Sequence, residues 1–346
     1  MNPVTSSGGL YGRVAALELE VDGCELERLE KPVSSGFNRV TTVVRLRGGG
    51  SVGLGEDVTY DAADHDDFPA ELPLSGTRSF AAFSRQLGGL ELFAARPART
   101  ASIDYRRWAF ESAALDLALR QAGLSLGAAL GLAYRPVRFI VSTRLDIRSW
   151  LALYPRREFK LDPTPEWDDE LVRQLAATGS VRVVDFKAFY EGTPVDNPPD
   201  PQLYARVVAA FPDAIVEDAE LTPRTRPALK AALDRLSWDA RIHSWRDVTK
   251  LPVAPRFLNI KPSRFGRVER LFECLEKAAA AGITMYGGGQ FELGPGRGQI
   301  QALAGLFFPD SPNDVAPLGY NEPEPAPGLP ASPLDPPARP AGFSWD

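Results

Sequence analysis

The chain has 346 residues, which suits two domains of ordinary size or one large domain. Its 39 Lys and Arg against 45 Asp and Glu give a formal charge of −6, which argues against a nucleic-acid-binding protein, because such proteins carry a basic face. Hydrophobic residues make up 44% of the chain, which excludes wholesale disorder. No apolar run is long enough to span a membrane and the first residues lack the pattern of a secretory leader, so we expect a cytoplasmic protein without a membrane partner.

Histidine and cysteine are scarce, and this limits the chemistry open to the chain. With only His65 and His243, a three-histidine metal centre is impossible, and a histidine-based triad must use one of these two residues. Cys24 and Cys274 lie far apart and form no Cys-x-x-Cys pair, so neither a disulfide framework nor a thiolate zinc site is indicated. An enzyme with this composition would work with carboxylates and lysines.

The first part of the chain has the pattern of a small region with both strands and helices. Apolar and polar residues alternate in two segments, and a triple glycine at 48–50 supplies a turn before a third strand. Two helices follow, and the second has a broad apolar face that ends at Gly123. The predicted elements are strands at 14–21, 39–47 and 52–56 and helices at about 77–87 and from 101 to Gly123.

From about residue 137 onward, short runs rich in Val, Ile and Phe alternate with helical segments. The predicted strands lie at 138–144, 158–162, 181–187, 214–218, 236–242, 257–261, 283–286 and 313–316, and the intervening helices at 167–177, 201–211, 227–235, 267–281 and 299–306. Eight strands alternating with helices indicate a parallel α/β sheet. Polar residues at the strand ends favour a closed barrel. The competing doubly wound sheet would want a glycine-rich turn after the first strand, and residues 141–144 contain no glycine.

These patterns divide the chain into three parts. We expect an N-terminal region at 1–134, a barrel at 135–321 and a Pro-rich tail at 322–346, which can be neither helix nor central strand. The tail either trails free or lies extended over another domain. Phe343 and Trp345 favour docking, and we expect it to pack on the N-terminal domain.

Charged residues fall at the ends of five successive predicted strands. Asp185, Glu217 and Asp239 supply three carboxylates, with Lys160 one strand before them and Lys261 one strand after. Because their spacing follows the strand-helix repeat, the five side chains should converge at one rim of the barrel.

This set of side chains suits one kind of chemistry. Three carboxylates without histidine favour a hard divalent cation such as Mg²⁺. A small-molecule carboxylate bound to the cation would have its α-proton acidified, and lysines on either side would be placed for proton transfer.

The sequence resembles the enolase superfamily over nearly its whole length, closest to the muconate-lactonizing and o-succinylbenzoate-synthase branch and similar to mandelate racemase and muconate lactonizing enzyme. The matching segments, in chain order, are Gly53-Leu-Gly-Glu-Asp57, the helix at 107–119, Asp185, Val216-Glu-Asp218, Asp239, Asn259-Ile-Lys-Pro-Ser-Arg-Phe-Gly266 and Gly287-Gly-Gly-Gln-Phe-Glu292. The resemblance implies a (β/α)7β modified TIM barrel with an α+β capping domain. It also implies that Asp185, Glu217 and Asp239 bind Mg²⁺ and that Lys160 and Lys261 act as acid and base.

Three strand ends depart from the pattern of that branch, and at one of them Ala240 follows Asp239 where a Glu is frequent. The second strand of that branch usually carries Lys-x-Lys, whereas this chain has Lys160 followed by Asp162, so Asp162 stands where the proton-abstracting lysine is expected. After Asp185 the usual asparagine is replaced by Lys187. Lys187 and Asp162 are candidate substrate-binding residues for this reason. Other charged or glycine residues near the strand ends are further candidates, namely His243, Gly288 and Glu292. The three glycines at 287–289 either let backbone N–H groups approach an anionic substrate or form a tight turn.

The sequence thus predicts an enolase-superfamily lyase or isomerase that uses Mg²⁺ to abstract the α-proton of a carboxylate through an enediolate. The outcome would be β-elimination, cycloisomerisation, or racemisation or epimerisation. Two alternatives remain open: a Schiff-base aldolase with Lys261 as the nucleophile, and a non-catalytic relative that binds a ligand. Homo-oligomerisation is compatible with all three.

Overall fold

The computed structural model describes residues 8–34, 36–193 and 195–345. Residues 1–7 and 346, the outer ends of the predicted first and third parts, lie outside these ranges. Residues 1–7 also make up most of the N-terminal segment in which we expect no secretory leader, so that expectation falls largely outside the described residues. No helix of the described residues is both long and apolar enough to cross a membrane.

The N-terminal domain packs a long helix on an antiparallel sheet. Its elements are α1 (Leu10–Ala15), β1 (Glu18–Val21), β2 (Gly23–Pro32), β3 (Asn38–Gly48), β4 (Ser51–Asp57), β5 (Gly76–Ser79), α2 (Phe80–Leu87), α3 (Ala101–Gln121) and α4 (Leu126–Leu130). Strands β2, β3 and β4 form one sheet, and β1 pairs with β5. Helix α3 lies directly on β4, because a Cβ on Gly53 or Gly55 would collide with the α3 backbone.

The predicted strand at 14–21 is wrong in its first half. Val14 and Ala15 belong to α1, and only Glu18–Val21 is extended. Leu10 and Val14 share one face of that helix at the i, i+4 spacing, and Val14 is fully buried. The apolar residues around Val14 are therefore compatible with the spacing of a helix as well as with the alternation of a strand.

The second domain is a parallel barrel with helices outside it. Its elements are β6 (Val141–Thr143), α5 (Ile147–Leu153), β7 (Phe159–Leu161), α6 (Asp169–Ala177), β8 (Val181–Asp185), α7 (Pro201–Ala210), β9 (Ile215–Glu217), α8 (Arg226–Leu229), β10 (Leu236–Trp238), α9 (Trp245–Val248), β11 (Phe257–Ile260), α10 (Pro262–Phe265), α11 (Val268–Ala280), β12 (Thr284–Gly287) and α12 (Pro295–Phe307). The seven strands are hydrogen-bonded in chain order. The chain has a (β/α)7β barrel with a capping domain, as its sequence predicted.

The eighth strand position consists of two bridging residues. Asn313 pairs with Phe139 near the first strand and Asp314 pairs with Gly288 after the seventh, so the predicted strand at 313–316 closes the barrel with single bridges. The side chain of Asn313 adds to this closure by accepting the N–H of Gly287 and donating to the carbonyl of Arg138.

Helix starts in the barrel follow the local sequence. Asp168 accepts a hydrogen bond from the N–H of Leu171 at the start of α6, and Asp200 accepts that of Gln202 at the start of α7, where Pro201 occupies the first helical position. The predicted helix at 227–235 is divided, since α8 ends at Leu229 and residues 230–235 continue as a 3₁₀ helix. Each helix thus returns the chain to the next parallel strand.

The C-terminal tail spans both domains. Leu334 pairs with Val137 just before the first barrel strand, and Ser332 accepts the N–H of Phe139. Farther along, Phe343 lies edge-on against Trp108 of α3, with ring centroids 6.1 Å apart, and its N–H donates to Asp116. The tail therefore ties the bottom of the barrel to the capping domain.

Replacing Phe343 with alanine should destabilise the protein by about 3 kcal/mol, because it removes a buried ring from a packed interface. Urea unfolding of wild type and variant would measure the change. Leu153→Ala is the matched control, since Leu153 is 43% exposed and its loss should cost under about 0.5 kcal/mol. Equal effects of the two substitutions would contradict a docked tail.

Candidate active site

The strand ends bring all five predicted residues to one rim of the barrel. Lys160 lies on β7, Asp185 ends β8 and Glu217 ends β9, while Asp239 and Lys261 directly follow β10 and β11. Asp185 and Glu217 are paired neighbours in the sheet register. All five side chains are nearly or fully buried.

Lys160 lies between two of the predicted metal ligands. Its Nζ is 2.5 Å from Glu217 and 2.9 Å from Asp185, with Asp314 at 3.8 Å. Burial alone would lower the pKa of Lys160, but these carboxylates raise it well above its usual value. The ammonium therefore supplies a positive charge at the centre of the acidic cluster.

Asp239 is surrounded by two cationic side chains and one hydroxyl group. Lys261 Nζ lies 2.8 Å from it, Arg264 contacts both of its oxygens at 3.0 and 3.2 Å, and the hydroxyl of Tyr190 donates to it at 2.9 Å. Despite burial, Arg264 and Lys261 hold the pKa of Asp239 well below its usual range.

Sequence reasoning missed Arg264 and Tyr190. Arg264 lies in α10, in the turn that follows Lys261, so its spacing of three residues from the lysine was a usable signal. Tyr190 lies in the loop after β8, where no regular spacing points to it.

Asp218 is a third buried carboxylate beside Asp185 and Glu217. Oxygens of these three residues all lie within 4.8 Å of one another, a spacing that could hold a metal ion, and Asp239 is not in this group. Asp218 has a left-handed backbone, with φ +48°, and its two oxygens accept the backbone N–H groups of Asp239 and Ala240 at 2.9 and 3.0 Å. Burial and the neighbouring carboxylates raise the pKa of Asp218 to about 7.

The donor set fits a hard divalent cation. The carboxylates are buried, so they need a partner cation, and oxygens from separate strands converge. Burial, offset by Lys160 and reinforced by Asp185, raises the pKa of Glu217 to about 8. That shift marks a carboxylate whose negative charge is incompletely compensated by the side chains around it.

Asp162 and Lys187, which both depart from the pattern that the resemblance implies, lie next to each other. Lys187 has φ +54°, its ammonium is paired with Asp185, and it lies 3.7 Å from Asp162. Asp162 in turn is 3.0 Å from Arg144 of the first strand end. Position 162 thus carries a carboxylate, and Lys187 brings an ammonium group to the same corner of the rim from the next strand.

The loop after β12 uses its backbone donors internally. The N–H of Gly287 donates to Asn313, that of Gly288 to Ile260 and that of Gly289 to Asp314. Gly287 ends β12 and Gly288 still pairs with Asp314, so the extended chain continues through the first two glycines, and the N–H groups of all three already have acceptors. Glu292 follows these glycines, accepts the N–H of Gln290, and lies 3.4 Å from Arg297.

His243 lies at the edge of the site. Its ring nitrogens lie 2.9 Å from the carbonyl of Arg264 and 3.2 Å from that of Ala240, and its Nδ1 is 3.7 Å from Asp104 of α3. These contacts join the loop after β10, which carries His243, to α10 with Arg264 and to α3 of the capping domain. His65 is buried within the capping domain, between Thr42 and the carbonyl of Thr59.

Two family models match the chain in succession. The N-terminal domain of a family described as a domain of unknown function (DUF8230) matches residues 12–129, and its C-terminal domain matches residues 133–322. Together they cover the capping domain and the barrel. No protein of curated function matches the sequence.

Solved structures of similar fold belong to the enolase superfamily. Muconate lactonizing enzyme from Pseudomonas putida is 19% identical, with a TM-score of 0.66 over 94% of this chain and 96% of that one. Dipeptide epimerase from Methylococcus capsulatus, solved with a Mg ion, is 19% identical, with a TM-score of 0.62 over 88% of each chain. An enolase-superfamily member from Listeria innocua is 18% identical, with a TM-score of 0.62 over 87% of this chain and 86% of that one. The chain has the fold of this superfamily.

Divalent-cation affinity should fall as the pH drops below about 8. Glu217, with a pKa raised to about 8, holds a proton below that pH that a cation must displace, whereas Asp239 stays ionised. We expect a loss of about tenfold per pH unit for this proton. Calorimetry in buffers of different ionisation enthalpy would count the protons released, and affinity that does not change between pH 6 and 9 would contradict the expectation.

Proposed function

We propose that this chain, which belongs to the DUF8230 family, is a divalent-metal-dependent enzyme that removes the α-proton of a small carboxylate substrate. The observation that carries the proposal is the convergence of buried carboxylates with Lys160 and Lys261 at the C-terminal rim of a closed barrel. The fold shared with muconate lactonizing enzyme supports it.

We assign Asp185, Glu217 and Asp239 as the residues that would hold the cation, with Mg²⁺ as the preferred ion. Asp239 is preferred to Asp218 because its present partners are side chains, which can move away, whereas both oxygens of Asp218 accept backbone N–H groups. Asp218 then holds the backbone of Asp239 in place. The cation would supply positive charge beside the substrate carboxylate, which acidifies the α-C–H bond.

Lys261 and Lys160 would move the proton. They approach the acidic cluster from different strands, with Lys261 Nζ beside Asp239 and Lys160 Nζ between Asp185 and Glu217. A cation bound by these carboxylates would take over the charge compensation that the two ammonium groups now provide. Either lysine could then carry a proton to or from the α-carbon, as β-elimination, cycloisomerisation or epimerisation requires.

The metal assignment predicts a graded effect on cation binding. Asp185→Asn, Glu217→Gln and Asp239→Asn should each weaken Mg²⁺ binding at least tenfold, because each removes a charged ligand. Asp218→Asn should weaken it less, since it loses only one backbone contact. Calorimetry with each variant measures this order, and a larger loss in Asp218→Asn than in Asp239→Asn would reassign the third ligand.

Proton transfer by Lys261 is testable without knowing the final product. In D₂O with Mg²⁺, a panel of carboxylic acids should exchange α-protons with wild-type protein, and Lys261→Ala should slow the exchange by about 10² to 10⁴. The exchange is followed by proton NMR. Arg270→Ala, a half-exposed residue on α11, is the control and should leave the rate unchanged. Exchange at the wild-type rate in Lys261→Ala would refute the assignment.

A further inference from the structure

Arg264 has no role in the proton transfer just described, although its guanidinium group lies against a proposed metal ligand. Its Nε is 3.0 Å from Asp239 Oδ1, and its Nη2 donates to Asp239 Oδ2 at 3.2 Å. We propose that Arg264 competes with the divalent cation for Asp239, so that this carboxylate binds the cation only at the expense of its contact with Arg264. This inference rests on the proposed function, because it takes Asp239 as the third ligand of the cation.

The two oxygens of Asp239 differ in their partners. Oδ2 accepts hydrogen bonds from Tyr190 at 2.9 Å and from Arg264 at 3.2 Å, and Lys261 Nζ lies 2.8 Å from it. Oδ1 is buried and has no hydrogen-bond donor among the described residues, since Arg264 Nε approaches it without forming a hydrogen bond. A buried carboxylate oxygen without a donor is the position that a hard cation would take.

A cation at Asp239 Oδ1 would lie beside the guanidinium group of Arg264. Despite burial, Arg264 does more than any other group to hold the pKa of Asp239 well below its usual range, so it is the main counter-charge of this carboxylate. Like charges at a shared oxygen repel, and little water is present in a buried site to screen the repulsion. The divalent cation therefore binds either after Arg264 has moved or against its charge, and both cost free energy.

Arg264 is held in place by further contacts. Its side chain is 6% exposed, and its Nη2 also donates to the hydroxyl of Tyr190 at 3.0 Å. Its Nη1 donates to the carbonyl of Ala240 at 3.4 Å and to the hydroxyl of Tyr105 at 3.5 Å. A buried guanidinium group that leaves its carboxylate loses its counter-charge, so the release of Asp239 is costly.

The other cationic side chains of the cluster differ from Arg264 in one respect. A lysine can lose its proton when a metal ion arrives, whereas a guanidinium group stays charged in proteins. Arg264 is thus a permanent positive charge beside the cation. The lysines that contact the carboxylates of the cluster are Lys160, Lys187 and Lys261.

The direct test is Mg²⁺ binding by the full-length protein at pH 8, measured by calorimetry without substrate. We expect Arg264→Gln to bind Mg²⁺ at least tenfold more tightly than wild type, because it removes a positive charge from the oxygen that the cation needs. Equal or weaker binding by Arg264→Gln would overturn the inference.

The control removes a different buried guanidinium group. Arg297 lies near the glycines at 287–289 and pairs with Glu292 instead of Asp239. Arg297→Gln should therefore bind Mg²⁺ within threefold of wild type. If it gains as much affinity as Arg264→Gln, the effect does not depend on contact with Asp239 and the inference is overturned.

A double substitution shows whether Asp239 carries the effect. In a protein that already has Asp239→Asn, adding Arg264→Gln should not improve Mg²⁺ binding, because the carboxylate for which the two cations compete is gone. This expectation includes the case in which neither protein binds. Tighter binding by the double variant than by Asp239→Asn alone would overturn the inference.

Thermal unfolding gives a second readout and shows whether the variant folds. Without Mg²⁺, Arg264→Gln should unfold at a lower temperature than wild type, because buried Asp239 loses its counter-charge. Saturating Mg²⁺ should raise the unfolding temperature of the variant more than that of wild type, since a cation that binds more tightly stabilises the folded state more. An equal or smaller rise, or a variant that stays unfolded with Mg²⁺, would contradict the competition.

The wild-type titration separates this inference from the proposed function. If neither wild type nor Arg264→Gln binds Mg²⁺, the proposed function fails. If wild type binds Mg²⁺ and Arg264→Gln binds it no more tightly, the proposed function stands and only the competition is refuted.

Discussion

Charge compensation inside the barrel mouth is the constraint on which the rest of the site depends. Asp185, Glu217, Asp218 and Asp239 are fully buried at neighbouring strand ends, and carboxylates so placed repel one another unless cations lie between them. Lys160 and Lys261 supply part of that charge from the strands on either side. The site is thus a buried cluster of carboxylates with ammonium groups between them, and in the proposed function a divalent cation and a carboxylate substrate would take the place of these internal partners.

The backbone at the rim adopts unusual conformations that place these charged side chains. Lys187 and Asp218 both have left-handed backbone conformations, which residues with a Cβ adopt at a cost in free energy. Asp218 directly follows β9, and Lys187 lies two residues beyond β8. At both positions the turn places a charged side chain in or beside the acidic cluster. Phe291, a third such residue, lies shortly after the glycines at 287–289 and packs edge-on against Phe37 of the capping domain. The strained positions therefore lie where strands deliver side chains to the rim or where the capping domain meets it.

Much of the fold and the core of the site could be predicted because both depend on regular spacing. Buried parallel strands recur with the strand-helix repeat, so Lys160, Asp185, Glu217, Asp239 and Lys261 could be placed together from sequence. Residues that act from loops, such as Tyr190, have no such period. The partner of the Gly288 N–H group could not be predicted either, since its acceptor, the carbonyl of Ile260, lies on another strand that only the folded chain brings near. The alternating pattern at 14–21 failed in its first half because Val14 and Ala15 also continue the helical spacing that begins at Leu10.

The barrel closes through single β-bridges at Asn313 and Asp314. Elsewhere each strand is held by a ladder of backbone pairs, whereas the first and last strands meet through one residue apiece and the amide of Asn313. The C-terminal tail lies outside the barrel at the same place. There Leu334 pairs with Val137, and Ser332 accepts the N–H of Phe139, in the segment that leads into β6. The C-terminal segment therefore reinforces the barrel wall where the barrel closes. Cleavage of the chain before residue 332 would weaken this closure but would leave every carboxylate at the rim on an intact strand.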